Sequence, residues 1–351
     1  MKIAQIAPLA ESVPPRLYGG TERVVSYLTE ELVRLGHQVT LFASGDSVTE
    51  ASLVACAPRA QRLDGVRDLL PQLLVMLGRV LQREHEFDVL HFHTEPLAHF
   101  PLFRALRGKT VTTLHGRLDT PELKPLFREF GDMPVVSISD SQRAPAQGMN
   151  WLATVYHGLS PDVCPFNPSP RGRYFAFLGR VSPEKGLDRA IGIARRAGVT
   201  LRIAAKVDAL DEPYFRNRIV PLLGPGIEFL GELSERDKPA FLGNATALLF
   251  PIDWPEPFGL AIIEAMSCGT PVLAWARGSV PEIVEDGLSG FVVDSIEAAV
   301  AKARAIAALD RRQVRRRFEK RFVASRMAQD YLSVYHSLWR RRLPLAREAR
   351  G

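Results

Sequence analysis

Short apolar, β-rich runs alternate with longer amphipathic segments along the whole chain, and this alternation restricts the possible fold more than any other feature. In the first half the runs are KIAQIA, VTLFA, DVLHF, TVTTL, PVVSI and ATVY. In the second they are YFAFL, LRIAA, IEFL, ATALLF, PVLAW and GFVV. Each is continuously apolar, the pattern of a strand covered on both faces. Between them lie segments with helical spacing, among them 21–35, 97–107, 187–197 and 297–308. Repetition of strand and helix implies parallel sheets built from right-handed crossovers. The expected fold class is α/β.

The repetition is interrupted at HGLSPDVCPFNPSPRGRY, 157–174, where four prolines and two glycines remove any periodicity. A length of 351 residues suits two domains. A boundary in this segment leaves about six strands on each side, enough for two sheets facing across a cleft. Open parallel sheets bind ligands beyond the C-terminal ends of their strands. The site is therefore expected in the βα loops.

The hydrophobic fraction of 46% and charged fraction of 24% are those of an ordinary folded protein, not a disordered one. Cys56, Cys164 and Cys268 are far apart and odd in number, with no C-x-x-C pair, so a reducing compartment is expected. The start, MKIAQIAPLAESVPP, reads as a first buried strand rather than a signal peptide. The longest apolar stretch, LLPQLLVMLGRVL, is broken by Pro71, Gln72 and Arg79, too soon for a membrane span. A cytoplasmic location is the expectation. Residues 311–351 hold thirteen Arg or Lys against three acids, a net +10 in a chain of +6, so the remainder carries −4. That basic segment has three readings: a solvated helical face, a weak contact with an anionic membrane surface at the inner face, or nucleic acid. The first is favoured, and nucleic acid is not expected as a partner.

Three stretches carry chemistry. In APLAESVPPRLYGGTERVV, Gly19 and Gly20 precede a helix start near Thr21, an arrangement that serves either as a turn or as a phosphate site. No G-x-G-x-x-G follows the first strand, which counts against a nicotinamide enzyme. In FAFLGRVSPEKGLDRAI, Arg180 directly follows a strand and Lys185 stands at the mouth of the next helix. Two such cations can clamp a diphosphate, although surface Arg and Lys near helix starts are common. In DWPEPFGLAIIEAMSCGTPV, Pro255 and Pro257 forbid a regular helix and Phe258-Gly259 marks a turn, so a helix begins near Leu260. Glu256 then precedes the helix and Glu264 lies more than a turn inside it, about 10 Å or more apart. Glycosidase carboxylates stand about 5–9.5 Å apart, so the spacing argues against a shared scissile bond. The amides of Gly259, Leu260 and Ala261 lie between the two acids, placed for an anion. Together these features fit an elongated ligand with a central diphosphate and a hydroxyl-bearing group at each end, that is, a nucleotide-sugar.

The same residues resemble those of a retaining glycosyltransferase of family four, with the GT-B architecture of two Rossmann-like domains. The resemblance covers nearly the whole chain: the Gly-Gly loop, TLHG at 113–116, SISDSQR at 137–143, GRVSPEKG at 179–186, and the E-x7-E block EPFGLAIIE with the AMSCGTPVLAWARGSVPEIVEDGLSGF that follows. It implies an acceptor-side domain over 1–158, a nucleotide-sugar donor domain over 159–324, and a last helix, about 325–340, packing back on the first. It further implies that Arg180 and Lys185 neutralise the leaving diphosphate without a metal, that Glu256 lies near the donor sugar, that Glu264 binds the ribose, and that His115 contacts the sugar. Gly19, Gly20, Phe258, Gly259, Leu260 and Ala261 complete the donor site. Taken alone, His115 at a strand end could equally cap a backbone group. His91 and His93 in HFHTEP could imitate a metal pair, but no third ligand accompanies them at a diagnostic spacing. No D-x-D is present, and no metal or other cofactor is expected.

The implied reaction moves a hexosyl group from a nucleoside diphosphate sugar, with UDP-sugar favoured and GDP-mannose the alternative, to an acceptor hydroxyl whose identity the sequence does not give. The rivals are a GT-B phosphorylase, a nucleotide-sugar epimerase, and a non-catalytic anion or nucleic-acid binder. The stretch AAKVDALDE replaces the glycine-rich turn usual after the second donor-domain strand, and His157 stands where the linker asparagine is usual. In the last helix, the spacing of Tyr331, Tyr335, Leu338 and Trp339 suits packing better than a lipid anchor.

Overall fold

The computed structural model describes residues 1–16, 19–95 and 97–342. The chain divides into two compact units, one formed by Met1–Gly158 together with the segment from Ala324, the other by Leu159–Val323.

In the first unit, β1 (Lys2–Ile6), α1 (Gly20–Arg34), β2 (Gln38–Ser44), β3 (Ser52–Ala57), α2 (Leu70–Gln82), β4 (Val89–Phe92), α3 (His99–Phe103), β5 (Thr110–Thr113), α4 (Leu123–Glu129), β6 (Pro134–Ser137), α5 (Asp140–Arg143) and β7 (Asn150–Thr154) follow one another. The strands form one sheet in the order β3-β2-β1-β4-β5-β6-β7, and every pairing is parallel. The order reverses between β1 and β4, so the C-terminal ends of these central strands meet at the switch point. Separate apolar clusters line the sheet. One gathers Phe42, Met76, Leu77, Phe92 and Phe103, and another gathers Phe100, Leu114, Met133 and Val135.

In the second unit the order along the chain is β8 (Tyr174–Arg180), α6 (Leu187–Ala197), β9 (Thr200–Lys206), α7 (Glu212–Tyr214), β10 (Ile227–Gly231), α8 (Lys238–Gly243), β11 (Ala247–Phe250), α9 (Leu260–Ser267), β12 (Val272–Trp275), α10 (Val280–Ile283), β13 (Gly290–Val293), α11 (Ile296–Ala303) and α12 (Arg311–Arg321). Its six strands pair in parallel as β10-β9-β8-β11-β12-β13, over a core that includes Phe175, Ile191, Ile203, Leu249 and Ile306. The last helix, α13 (Ala324–Arg342), belongs to the first unit and packs along α1.

Two expectations from the sequence are corrected here. The first half holds seven strands, the unforeseen one being β3, SLVACA. It lies at the sheet edge and is buried only at Cys56 and Ala57, so it lacks the continuous apolar run of a covered strand. The segments 97–107 and 297–308 are not single helices: the first is α3 followed by a 3-10 turn over Arg104–Leu106, the second α11 followed by one over Ala305–Ala308.

Along α13, Tyr331 and Tyr335 are fully buried and Leu338 nearly so, while Trp339 is about half exposed. Several arginines of the basic segment are spent inside the protein. Arg311 donates to the carbonyls of Asn167, Gly243, Ala245 and Cys268 and to Thr270 Oγ1. Arg315 binds the carbonyls of Cys164 and Ser267, and Arg321 that of Glu282. Those groups are structural fasteners, which reduces the charge left for an anionic surface. Residues 343–351 of that segment lie outside the described residues. Among the described residues no helix is long and apolar enough to cross a membrane.

Candidate active site

β8 and β11 are parallel neighbours, so the loops that follow them emerge side by side at one edge of the sheet. Gly186 lets them touch. It sits at φ +72°, and a Cβ there would lie 2.1 Å from the carbonyl oxygen of Pro251. The Asp253 amide donates to the Glu184 carbonyl at 2.8 Å, and Arg189 Nε to the Pro251 carbonyl at 3.0 Å. This stitching brings Lys185 and Glu256, 71 positions apart, to 2.6 Å between Nζ and Oε2.

Glu256 Oε2 also accepts from Trp254 Nε1 at 2.8 Å, and the Lys185 ammonium stands 4.4 Å from the centre of the Trp254 ring. Both ends of the ion pair are largely covered, with side-chain exposures of 15% and 11%, so water screens it little. The Glu256 loop rests on the turn before α10. The Ser279 amide donates to the Glu256 carbonyl at 2.9 Å, and Ser279 Oγ to the Phe258 carbonyl at 2.8 Å. Gly278, at φ +56°, passes so close that a Cβ would fall 2.3 Å from both the amide nitrogen and the carbonyl oxygen of Glu256. Gly278 and Ser279 thus support the Glu256 loop, a contact that their place in the sequence does not mark.

Arg180 ends β8 among acids. It makes a 2.8 Å contact with Glu184 Oε1 and longer ones, 3.6 Å and 3.8 Å, with Asp211 and Asp208. Lys206, opposite it on β9, pairs with Asp208 at 2.9 Å. The cations proposed to hold a diphosphate are therefore ion-paired within this unit, and an incoming polyanion would exchange partners with the acids.

α9 begins at Leu260, with Gly259 at φ +88° as its cap and no side chain capping it. Its first amides have no partner within the helix, and the dipole end is positive. Leu260 and Ala261 are partly exposed there, whereas Glu264, one turn further, is buried. Phe258, expected in the donor site, has its side chain in the core of this unit. Its ring is buried edge-on to Phe322, 6.2 Å between centroids, and its carbonyl accepts from Ser279 Oγ.

In the first unit, Gly19 caps α1 and Gly20 is its first residue. Gly19 has an extended backbone, φ −179°, and its lack of a side chain answers to packing: a Cβ would lie 2.7 Å from Pro15 Cβ. Glu22, buried in the first turn, is pushed up from the usual carboxylate range by desolvation, with Glu11 adding to the effect and a hydrogen bond to its own amide opposing it. The start of α1 already carries a buried acid, which competes with any anion there.

His115 follows β5, and α5 fixes the loop that carries it. Ser139 caps α5 by accepting from the Gln142 amide. Gln142 Nε2 in turn donates to the carbonyls of Leu114 and Gly116, both at 2.8 Å. That is the physical work of the SISDSQR stretch. Gly116 donates to Glu95 Oε1 at 2.9 Å, and any Cβ on it would collide with that carboxylate. His115 Nε2 lies 2.9 Å from His93 Nδ1, and its ring stacks on His157 with centroids 5.2 Å apart. Desolvation holds His115 down to about 3, and lowers His91, His93 and His157 as well. His91 and His93 are bound to protein groups, and among the described residues no three His, Cys, Asp or Glu side chains could hold a metal ion.

Comparison with known proteins gives a consistent result. Residues 166–322 match the family model described as glycosyl transferases group 1, and residues 18–182 the one described as glycosyltransferase family 4. The phosphatidyl-myo-inositol mannosyltransferase of Mycobacterium leprae is 30% identical over 93% of this chain and 91% of its own. The D-inositol 3-phosphate glycosyltransferase of Mycolicibacterium smegmatis is 29% identical over 79% of this chain and 75% of its own. Among solved structures, AviGT4, a glycosyltransferase involved in avilamycin A biosynthesis, superposes with a TM-score of 0.75 at 25% identity, covering 96% of this chain and 98% of that one. Anabaena HepE in complex with UDP and glucose superposes with a TM-score of 0.72 at 21% identity, covering 96% and 100%. The last likeness is one of fold.

Proposed function

This chain belongs to glycosyltransferase family four, with the GT-B fold, and we propose that it transfers a hexosyl group from a nucleoside diphosphate sugar to an acceptor hydroxyl, with retention and without a metal. The observation that carries the reading is the cluster of Lys185, Glu256 and Arg180 beside the start of α9, assembled from the adjacent loops after β8 and β11. Two cations and a helix start suit a diphosphate. Glu256 and the buried Glu264, on either side of that helix start, suit hydroxyl groups of sugar and ribose.

In the reaction, the bond from the anomeric carbon to the diphosphate breaks as the acceptor oxygen bonds to that carbon. The acceptor proton passes to a phosphate oxygen of the leaving group. Negative charge grows on the diphosphate, and Lys185, Arg180 and the α9 amides are fixed groups that stabilise it. His115 is assigned a contact to the transferred sugar. A UDP-sugar is the favoured donor, in line with the UDP bound by HepE. GDP-mannose is the second candidate, in line with the mannosyltransferase relative. Polyols of the inositol type, named for both relatives, are the acceptors to try first.

The test is a screen of UDP- and GDP-hexoses with inositol-type acceptors in the presence of EDTA, with product anomers read by NMR. A retained anomer from a nucleotide-sugar is the expected result. An altered free sugar without acceptor, an inverted anomer, or activity abolished by EDTA would refute the corresponding part of the reading.

A further inference from the structure

The first unit contains a continuous buried chain of polar side chains that ends at His115. Gln5, in the middle of β1, is fully buried. Its Nε2 donates to Tyr335 Oη of α13 at 3.1 Å, and its Oε1 lies 2.8 Å from His93 Nε2. A carbonyl oxygen can only accept, so His93 carries its proton on Nε2. His93 is held neutral by burial among other imidazoles, so its Nδ1 is an acceptor. The 2.9 Å contact to His115 is then a bond donated by His115 Nε2–H. His115, neutral as well, is left with a bare lone pair on Nδ1, and that atom is enclosed with no hydrogen-bond partner among the described residues.

The other arm of Gln5 is consistent. Tyr335, having accepted from Gln5, donates to His91 Nδ1 at 2.7 Å. His91 Nε2–H donates to Thr113 Oγ1 at 2.7 Å, and Thr113 reaches Tyr331 Oη at 2.9 Å. Each group has its partners, and the His115 end of the chain is the one left with a single imidazole nitrogen unmatched. A buried polar atom without a partner is unfavourable, and a hydroxyl delivered by a ligand would relieve that.

We propose that Tyr335, Gln5 and His93 form a positioning relay that fixes the tautomer of His115, presenting Nδ1 as a hydrogen-bond acceptor to a hydroxyl of the transferred sugar. The inference rests on the sugar-contacting role assigned to His115 above. It makes the C-terminal helix α13, through Tyr335, part of the recognition of a sugar at the end of β5. Reversing one amide, that of Gln5, would reverse every bond toward His115 and turn its acceptor into a donor.

The experiment is long-range proton–nitrogen correlation NMR on the full chain labelled with 15N-histidine, at neutral pH and without ligand, with His115 assigned by loss of its signals in His115→Gln. The expected result is a neutral His115 ring protonated on Nε2 and bare on Nδ1. Protonation on Nδ1, or on both nitrogens, overturns the proposal. Tyr335→Phe, which keeps the ring and removes the anchor of the Gln5 amide, and Gln5→Met, which keeps the volume and removes both bonds, should each convert His115 to a mixture of tautomers. A His115 tautomer unchanged in both folded variants overturns the relay. With the donor found by the screen, both variants should lower kcat/KM by about tenfold, the size of one neutral hydrogen bond. The loss should vanish for the monodeoxy donor lacking the contacted hydroxyl. Unchanged turnover in His115→Ala would refute the assigned sugar contact instead, whatever the tautomer.

Discussion

Acid should unfold the first unit selectively, and the size of the effect follows from where the histidines are. All eight lie in the first unit, and the second has none. His91, His93, His99 and His157 are buried and His115 partly so, and all five are held neutral by desolvation, His99 and His115 down to about 3. In the unfolded chain each would take a proton near pH 6.5. Below that pH the unfolded state binds more protons than the folded one, so stability falls as pH falls, from about 6.5 toward the depressed folded values. At pH 5.5, one unit below the unfolded value, each histidine costs about 1.4 kcal/mol, and the five together about 7 kcal/mol relative to pH 7.5. Glu22 and Glu95, raised by burial, oppose part of this at the acid end, since they gain protons more readily when folded. Even so, the loss is comparable with the whole stability of a typical domain, about 5–15 kcal/mol. Pulse-labelling hydrogen exchange in a urea series, at pH 7.5 and 5.5, separates the units by peptide. Peptides from β1, β4 and β5 should lose protection at far lower urea at pH 5.5, while those from β8 to β13 shift little. In His99→Gln the pH-dependent part should shrink by about 1.4 kcal/mol, whatever the substitution costs at pH 7.5. Equal urea midpoints for the first unit at the two pH values, or equal losses in both units, would refute the reasoning.

Other outcomes are expected from the second unit. Arg180→Ala should lower turnover about 10²–10³-fold with the fold intact by circular dichroism, as loss of one fixed transition-state charge does. Glu256→Gln should bind UDP about tenfold more tightly by calorimetry while turnover falls, because Lys185 no longer has to leave a charged partner. Gly278→Ala should cost turnover about 10²-fold, read as product formed with the donor and acceptor found by the screen, because the new methyl displaces the Glu256 backbone. Arg311→Lys should lower the urea stability of the second unit by about 3 kcal/mol. A lysine cannot reproduce the fork that satisfies four carbonyls at once.

The sequence shows the strands that are covered on both faces, because burial forces a continuous apolar run, and it shows where α9 begins, because Pro257 and Gly259 leave no other start. It does not show β3, whose edge position relaxes the requirement for apolar residues. It marks Arg180, Lys185 and Glu256 by their residue types next to strand ends. It could not show that Lys185 and Glu256 touch, since that contact depends on β8 and β11 being neighbours across 71 positions. Gly278 was equally hidden, because the sequence records a glycine but not the backbone that passes 2.3 Å from where its Cβ would be. The histidine cluster is hidden for a different reason. His91 and His93 read as an alternating pair, and only the sheet order, which sets Gln5 against His91, joins them to Tyr335, more than two hundred positions away.

The Lys185–Glu256 contact changes what the two residues mean to each other. Read along the sequence, the cation serves a diphosphate and the acid serves a sugar, as separate tasks at separate ends of a ligand. In the structure they share one short ion pair, largely out of water, under the Trp254 ring. A covered cation without a partner is costly, so Lys185 needs Glu256 whenever no phosphate is present. A diphosphate that takes over the ammonium leaves the carboxylate in need of donors, and vicinal sugar hydroxyls supply them. Binding of the phosphate and recognition of the sugar are then one exchange rather than two. In the proposed reaction a nucleoside diphosphate alone completes half of it and leaves the Glu256 carboxylate with the Trp254 indole N–H but no cation. This gives the site a physical reason to favour the intact donor over its own leaving group.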